Sequence, residues 1–188
     1  MNANTIPLAV INPDAPADSL EAKQPHIDNG TECYAKEGYF SREYMAREWE
    51  RMWTRSWLIA GVESDLPKLG DFLLFDIRDE SIIVTRTEEG IKAFYNVCPH
   101  RGTKLVADER GSKKVFVCPF HSWSFTNNGE LRRITDEETF QPEVICHRPG
   151  LTPVACATHA GIIFINMDDS PAPLVESLGL PEGYLEAY

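Results

Sequence analysis

Two short stretches hold the residues able to do chemistry. VCPHRG, at 97–102, offers Cys98 and His100, and VCPFHSW, at 117–123, offers Cys118 and His121. The chain has only five cysteines and five histidines, so two Cys-Pro elements that each lead into a histidine are unlikely to be chance. The pattern is C-x-H, seventeen residues, then C-x-x-H. Pro99 and Pro119 fix φ and remove a backbone donor inside each loop. Two thiolates and two neutral imidazoles suit either a Zn²⁺ ion or a [2Fe–2S] cluster whose irons divide the sulfur and nitrogen ligands. A structural zinc finger pairs like ligands, C-x₂₋₄-C and H-x₃₋₅-H. Here each loop offers one sulfur and one nitrogen, which suits a two-iron cluster because each loop can reach both metals. The third reading, cysteines and histidines scattered in a core, requires no metal at all.

The elements that must position these loops are β-rich. FYNV precedes the first box and VFV the second, so each box should sit at a strand end. SWLIAG, FLLFDI, SIIVTR, IKAFYNV and GIIFIN read as further short strands, with PKLGD and EEG as hairpin connections. TNNGE carries Asn128-Gly129, the signal of a two-residue hairpin. The expected fold is all-β with minor α, a small antiparallel sandwich or barrel. Ahead of it Ser41 is expected to open a helix, with Glu43 in its first turn and Met45, Trp49, Met52 and Trp53 as its buried stripe. Residues 1–38, with Pro7, Pro13, Pro16 and Pro25, read as a poorly ordered arm, 39–170 as the β domain, and 171–188 as a helical stub reading helix, turn, helix.

Composition narrows the class. Formal net charge is −11, from 29 acids and 18 bases, which argues against nucleic acid or an anionic membrane as main partner. No apolar run is long enough to span a bilayer, and no signal peptide is apparent. With an odd number of cysteines, a reducing compartment and a cytoplasmic location are expected. Cys33, Cys146 and Cys156 belong to no motif and read as incidental thiols. His26 reads as exposed, and His147 and His159 as structural; Arg101 either bonds near the metal or pairs with an acid.

The two boxes resemble those of Rieske iron–sulfur proteins. With WLIAGVESDLPKLGDFLLFDI, FYNVCPHRGTKL, CPFHSWSFTNNGEL and AGIIFINMD, the chain resembles, from about Tyr39 onward, the N-terminal domain of the large subunit of Rieske non-haem iron oxygenases. The resemblance implies a [2Fe–2S] cluster held by Cys98, His100, Cys118 and His121, with the histidines towards the surface. Two Fe³⁺, two sulfides and two thiolates sum to zero charge, so this cluster accepts an electron more readily than one with four thiolates. In the respiratory type each loop carries an extra cysteine, joined as a disulfide. The corresponding positions are Thr103 and Phe120, so no such clip forms here. That type also has a serine and a tyrosine bonding cluster sulfurs. Trp123 and Phe125 stand at those positions, and a potential low in the Rieske range is expected. Ser122 replaces a glycine of the oxygenase pattern; where that glycine takes a positive φ, serine brings strain.

Such oxygenases, by the resemblance, hold a mononuclear Fe(II) in a C-terminal catalytic domain. His26, His147 and His159 offer no paired spacing for it, so the chain is expected to carry electrons without a catalytic site of its own. The implied role is relay from a ferredoxin or flavin reductase to the catalytic iron of its own or a neighbouring subunit. The implied parent is a mono- or dioxygenase, a homotrimer or hetero-oligomer, from which this chain reads as the Rieske portion. Its substrate is not legible. A stand-alone Rieske carrier and a zinc-stabilised interaction module are the alternatives. Between residues 98 and 133, Arg101, Lys104, Arg110, Lys113, Lys114, Arg132 and Arg133 face three acids, Asp108, Glu109 and Glu130, a local excess of four positive charges. This reads as either solvated hairpins or a docking face for an acidic donor, testable at Lys113 and Lys114.

Overall fold

A computed structural model of the chain describes residues 33, 35–141, 143, 150–180 and 183–185. The chain divides into two compact units, Met1–Ser41 and Arg42–Tyr188. Nearly all of the expected N-terminal arm, with His26, lies outside the described residues, as do Cys146 and His147. In the first unit the described part is a single turn, α1 (Glu37–Phe40), closed by the Ser41 N–H donating to Glu37 O at 2.9 Å. Ser41 is extended, with φ −73° and ψ 123°, so it ends α1 before the next helix begins.

The second unit opens with α2 (Arg42–Glu48), with Glu43 in its first turn. It runs into a π-helical turn, Trp49–Trp53, where the Thr54 N–H donates to Trp49 O at 3.2 Å. The expected buried stripe is not formed. Met45 is 45% and Met52 41% exposed, and Trp49 and Trp53 are half-buried. No residue of α2 or of the π turn is buried, so the apolar spacing does not seat this segment on the sheets.

Among the described residues ten strands follow: β1 (Leu58–Val62), β2 (Asp71–Ile77), β3 (Glu80–Thr87), β4 (Gly90–Tyr95), β5 (Arg110–Ser112), β6 (Val115–Val117), β7 (Ser124–Thr126), β8 (Leu131–Arg133), β9 (Pro153–His159) and β10 (Ile162–Asn166). They form a seven-stranded sheet, β1-β10-β9-β4-β3-β2-β5, and a three-stranded sheet, β6-β7-β8, all antiparallel. The all-β reading therefore holds. EEG does join β3 to β4 as a hairpin, but PKLGD does not join neighbours, because β1 pairs with β10 rather than β2.

Alternation along the central strands builds two cores, one on each face of the large sheet. Phe72, Ile83 and Phe94 point to one face. There they meet Phe116, Phe125, Leu105, Val106, Trp123, Cys98 and Cys118. Leu73, Ile82, Val84 and Ala93 point to the other and meet Ile163, Ile165, Val154 and Leu66. β3 is buried on both faces from Ser81 to Thr85, as a strand between two cores must be. The first core underlies the two cysteine loops.

The β7–β8 turn is larger than Asn128-Gly129 suggested. Thr126 N–H donates to Glu130 O at 2.9 Å and Gly129 N–H donates to Thr126 O at 3.0 Å, so three residues form the loop. Gly129 has φ +87°, the left-handed residue of a turn that ends in a bulge. The C-terminal stretch gives α3 (Leu174–Leu178), stopped by Gly179 at φ +60°. Most of the second helix expected there lies outside the described residues.

Candidate metal centre

Both cysteines sit just past a strand. Cys118 follows β6 directly, and Cys98 follows β4 by two residues. The loops they open share one backbone plan. In the first, Cys98 N–H donates to Thr103 O at 2.8 Å and Gly102 N–H donates to Cys98 O at 2.9 Å. In the second, Cys118 N–H donates to Trp123 O at 2.8 Å and Ser122 N–H donates to Cys118 O at 3.0 Å. Each is thus a six-residue ring with proline second and a left-handed residue fifth. Gly102 has φ +73° and Ser122 φ +59°. Serine therefore occupies the conformation that the glycine of the oxygenase pattern would adopt freely.

The two rings bring the four residues together in like pairs. Cys98 and Cys118 are 1% and 2% exposed, whereas His100 and His121 are half-buried. The two thiols interact directly. Burial pushes the Cys98 thiol up, the neighbouring Cys118 adds to this, and the backbone amides of His100 and Arg101 act in the opposite direction. The imidazole rings lie 4.7 Å apart at 61°. Burial first, then neighbouring positive charge at His121 and Arg101, hold the His100 pKa below its usual value, which favours the neutral ring.

Nδ1 of His100 and Nδ1 of His121 are buried and have no hydrogen-bond partner. Buried polar atoms are rarely left so, because each costs about 1–3 kcal/mol. A group that accepts two imidazole nitrogens on one side and two thiolates on the other accounts for both orphans and for the paired thiols. A [2Fe–2S] cluster fits that donor set. A single tetrahedral zinc fits less well. Its donors must meet at one point, and among the described residues no group of three or more His, Cys, Asp or Glu converges on one ion position.

Aromatic rings brace the histidines. Trp123 stacks on His100 at 4.6 Å with planes 4° apart, Phe140 meets both edge-on, and Phe120 lies tilted on His121 at 3.9 Å. No motif pointed to Phe140, and its signal in the sequence is nothing more than an isolated aromatic. Asn96 is the other residue that sequence reasoning missed: its buried side chain bonds the chain at Leu105 and Val106. Cys156 and His159 lie on β9, away from both loops. Burial pushes the Cys156 thiol up to about 12. Cys33 is exposed.

The basic segment divides in space. Arg101 and Lys104 are exposed on the first loop and just beyond it. Arg133 pairs with Ser124, next to Trp123. Lys113 and Lys114 instead precede β6, at the opposite end from Cys118, where Lys113 N–H donates to Gly70 O and Asn127 N–H donates to Lys114 O. Arg110 is paired with Asp65 at 2.7 Å, and this contact holds the Asp65 carboxyl below its usual pKa. The two lysines chosen from sequence therefore lie at the other end of β6 from Cys118. No helix among the described residues is long and apolar enough to cross a membrane.

Comparison with known proteins agrees with this geometry. The Rieske [2Fe-2S] domain family matches residues 56–149. The glycine betaine monooxygenase oxygenase subunit of Chromohalobacter salexigens is 32% identical over 183 residues, which is 97% of this chain and 39% of that protein. The large oxygenase component of the naphthalene 1,2-dioxygenase system of Pseudomonas putida is 34% identical over 166 residues, 87% of this chain and 35% of that protein. A solved quaternary ammonium Rieske monooxygenase, described in terms of carnitine oxidation and inter-subunit electron transfer, superposes with a TM-score of 0.69. It is 30% identical and covers 81% of this chain and 41% of its own. The chain thus spans about two fifths or less of the length of the relatives it matches. From its paired loops to its sequence, the chain belongs to the Rieske [2Fe-2S] domain family, and the relatives it matches are oxygenase subunits.

Proposed function

We propose that Cys98 and Cys118 hold one iron of a Rieske [2Fe–2S] cluster and His100 and His121 the other, and that the domain relays single electrons within an oxygenase. The observation that carries the reading is the pairing of two buried thiols beside two imidazoles whose buried Nδ1 atoms have no partner. When bound, such a cluster takes up and releases one electron at a time. The chain's own part is to fix the donors. The rings closed by Thr103 and Trp123 set the cysteines, and the Trp123 stack limits rotation of His100. Half-exposed imidazoles offer the electron a route to the surface, while buried cysteines keep water from the thiolate side.

The donor in this reading is a ferredoxin or flavin reductase that docks beside Arg101, Lys104 and Arg133. The acceptor is the mononuclear iron of a catalytic domain in the same or a neighbouring subunit. A solved relative described in terms of inter-subunit electron transfer supports that route. The whole protein is then a cytoplasmic mono- or dioxygenase, a homotrimer or hetero-oligomer. The Rieske portion is residues 39–170, and 171–188 lead towards the catalytic domain.

Iron and inorganic sulfide content, with an EPR spectrum of the dithionite-reduced chain, tests the cluster assignment. About two irons and two sulfides per chain are expected, lost together in Cys118→Ala/His121→Ala. A double variant that keeps both overturns the reading. A colourless, zinc-containing protein turns it towards the interaction module.

A further inference from the structure

The two rings share a plan but not a support. The second is the tip of a hairpin: β6 and β7 pair directly beneath it, Val117 opposite Ser124. Two residues before Cys118 stands Phe116, 0% exposed and edge-on to Phe72 at 5.9 Å. That ring is held by ladder bonds and packing. The first has no such base. It lies in the connection from β4 to β5, and these strands are separated in the sheet by β3 and β2. No ladder joins the chain entering the loop to the chain leaving it.

Two residues before Cys98 stands Asn96, 2% exposed. Its Oδ1 accepts from Leu105 N–H at 2.9 Å and Val106 N–H at 3.1 Å. Its Nδ2 donates to Val106 O at 2.8 Å and to Ser81 Oγ at 3.1 Å. An amide side chain has two donors and two acceptor positions, and all four are used. The bonds join the entering chain to the leaving chain and pin both to the start of β3. Its own N–H adds a bond to Ser81 O at 2.7 Å. One buried side chain thus replaces the missing ladder.

We propose that Asn96 is a positioning residue for the first ligand loop, holding Cys98 and His100 in register with the second loop through three hydrogen bonds across the loop's base and a fourth to β3. The proposal rests on the ligand assignment made above. In the absence of this clamp the entering and leaving strands separate, and the Cys98–His100 half shifts while the Cys118–His121 half stays. The bonds to Leu105 and Val106 also keep those two residues, 5% and 3% exposed, in the core beneath the cysteines.

The test uses the cluster-loaded chain and compares Asn96→Leu, Asn96→Asp and Thr85→Val. Thr85 is 0% exposed and its hydroxyl donates to Asp71 O at 3.1 Å, so Thr85→Val removes one buried bond away from the loops. Asn96→Leu is expected to shift the reduced-state g values and the midpoint potential, and to speed iron loss to a chelator on the order of tenfold. Asn96→Asp keeps the acceptor for Leu105 and Val106 and should fall between Asn96→Leu and the parent. Thr85→Val should lower thermal stability and leave g values, potential and release rate unchanged. A folded Asn96→Leu with the parent's g values, potential and release rate overturns the proposal. Where Asn96→Leu does not fold, parent-like values in Asn96→Asp do the same. Failure of the ligand assignment shows separately, as iron and sulfide retained in Cys98→Ala.

Discussion

At the scale of single residues, Ser122 shows what the second loop costs. An L-residue in the left-handed region pays roughly 1–2 kcal/mol, and Ser122 holds φ +59° so that its N–H can reach Cys118 O. Glycine removes that strain but gains freedom in the unfolded chain, which returns about 0.4–1 kcal/mol. The balance favours Ser122→Gly by about 0.5–1 kcal/mol, or ~2 °C in Tm for a chain of this size. Thermal unfolding of the loaded protein should show the gain, with the EPR spectrum unchanged because no donor moves. A lower Tm than the parent's would mean that the hydroxyl makes a stabilising contact of its own. The four proposed donors stand out in the sequence because cysteine and histidine are scarce and Cys-Pro recurs before both histidines. Asn96 was not. A buried amide clamp and a solvated asparagine at a strand end look the same in a sequence, and its partners stand nine and ten residues further on.

Among the elements, the β7–β8 turn ties the small sheet to the large one. A Cβ on Gly129 would lie 2.3 Å from the Phe94 ring, which is itself 5% exposed, and the backbone there needs φ +87°. Gly150 is in the same position, since its Cβ would meet Gly129 O at 2.5 Å. Left-handed strain of roughly 1–2 kcal/mol and overpacking of typically 1–3 kcal/mol add, so Gly129→Ala should lose about 3 kcal/mol in denaturant unfolding. A loss below 1 kcal/mol would show that the turn moves off Phe94 without resistance. The Asn-Gly signal located this turn, but not its third loop residue, which depends on how the turn seats on β4. Strands with strong alternation were readable. β9, with alanines and a leading proline, and the three-residue polar β5 carry too little pattern and exist through pairing with β10, β4 and β2. For α2 the helical spacing was readable and the burial was not, because spacing alone does not say whether another element covers the stripe, and no residue of α2 or the π turn is buried.

For the molecule as a whole, an acidic chain keeps three bases near its candidate centre. Long-range repulsion from a net charge of −11 opposes an acidic donor, so local charges must offset it at the point of contact. Arg101, Lys104 and Arg133 stand at that end, with Phe120 58% exposed on the second loop and Val117 50% exposed just before it. Lys114 stands four residues before Cys118, on the far side of β6, roughly 13 Å away at about 3.3 Å per residue, and Lys113 lies further still. That exceeds the Debye length of about 10 Å at 0.1 M salt, so their charge is largely screened from a protein seated on the loops. Arg101→Glu/Arg133→Glu should therefore slow reduction by an acidic donor on the order of tenfold at low salt, with iron content intact. Lys113→Glu/Lys114→Glu should change it much less. The gap between the two variants should close as salt is raised. Equal slowing by both pairs would show that only total charge matters, and a gap that survives high salt would mean that Arg101 or Arg133 acts by direct contact rather than through the field.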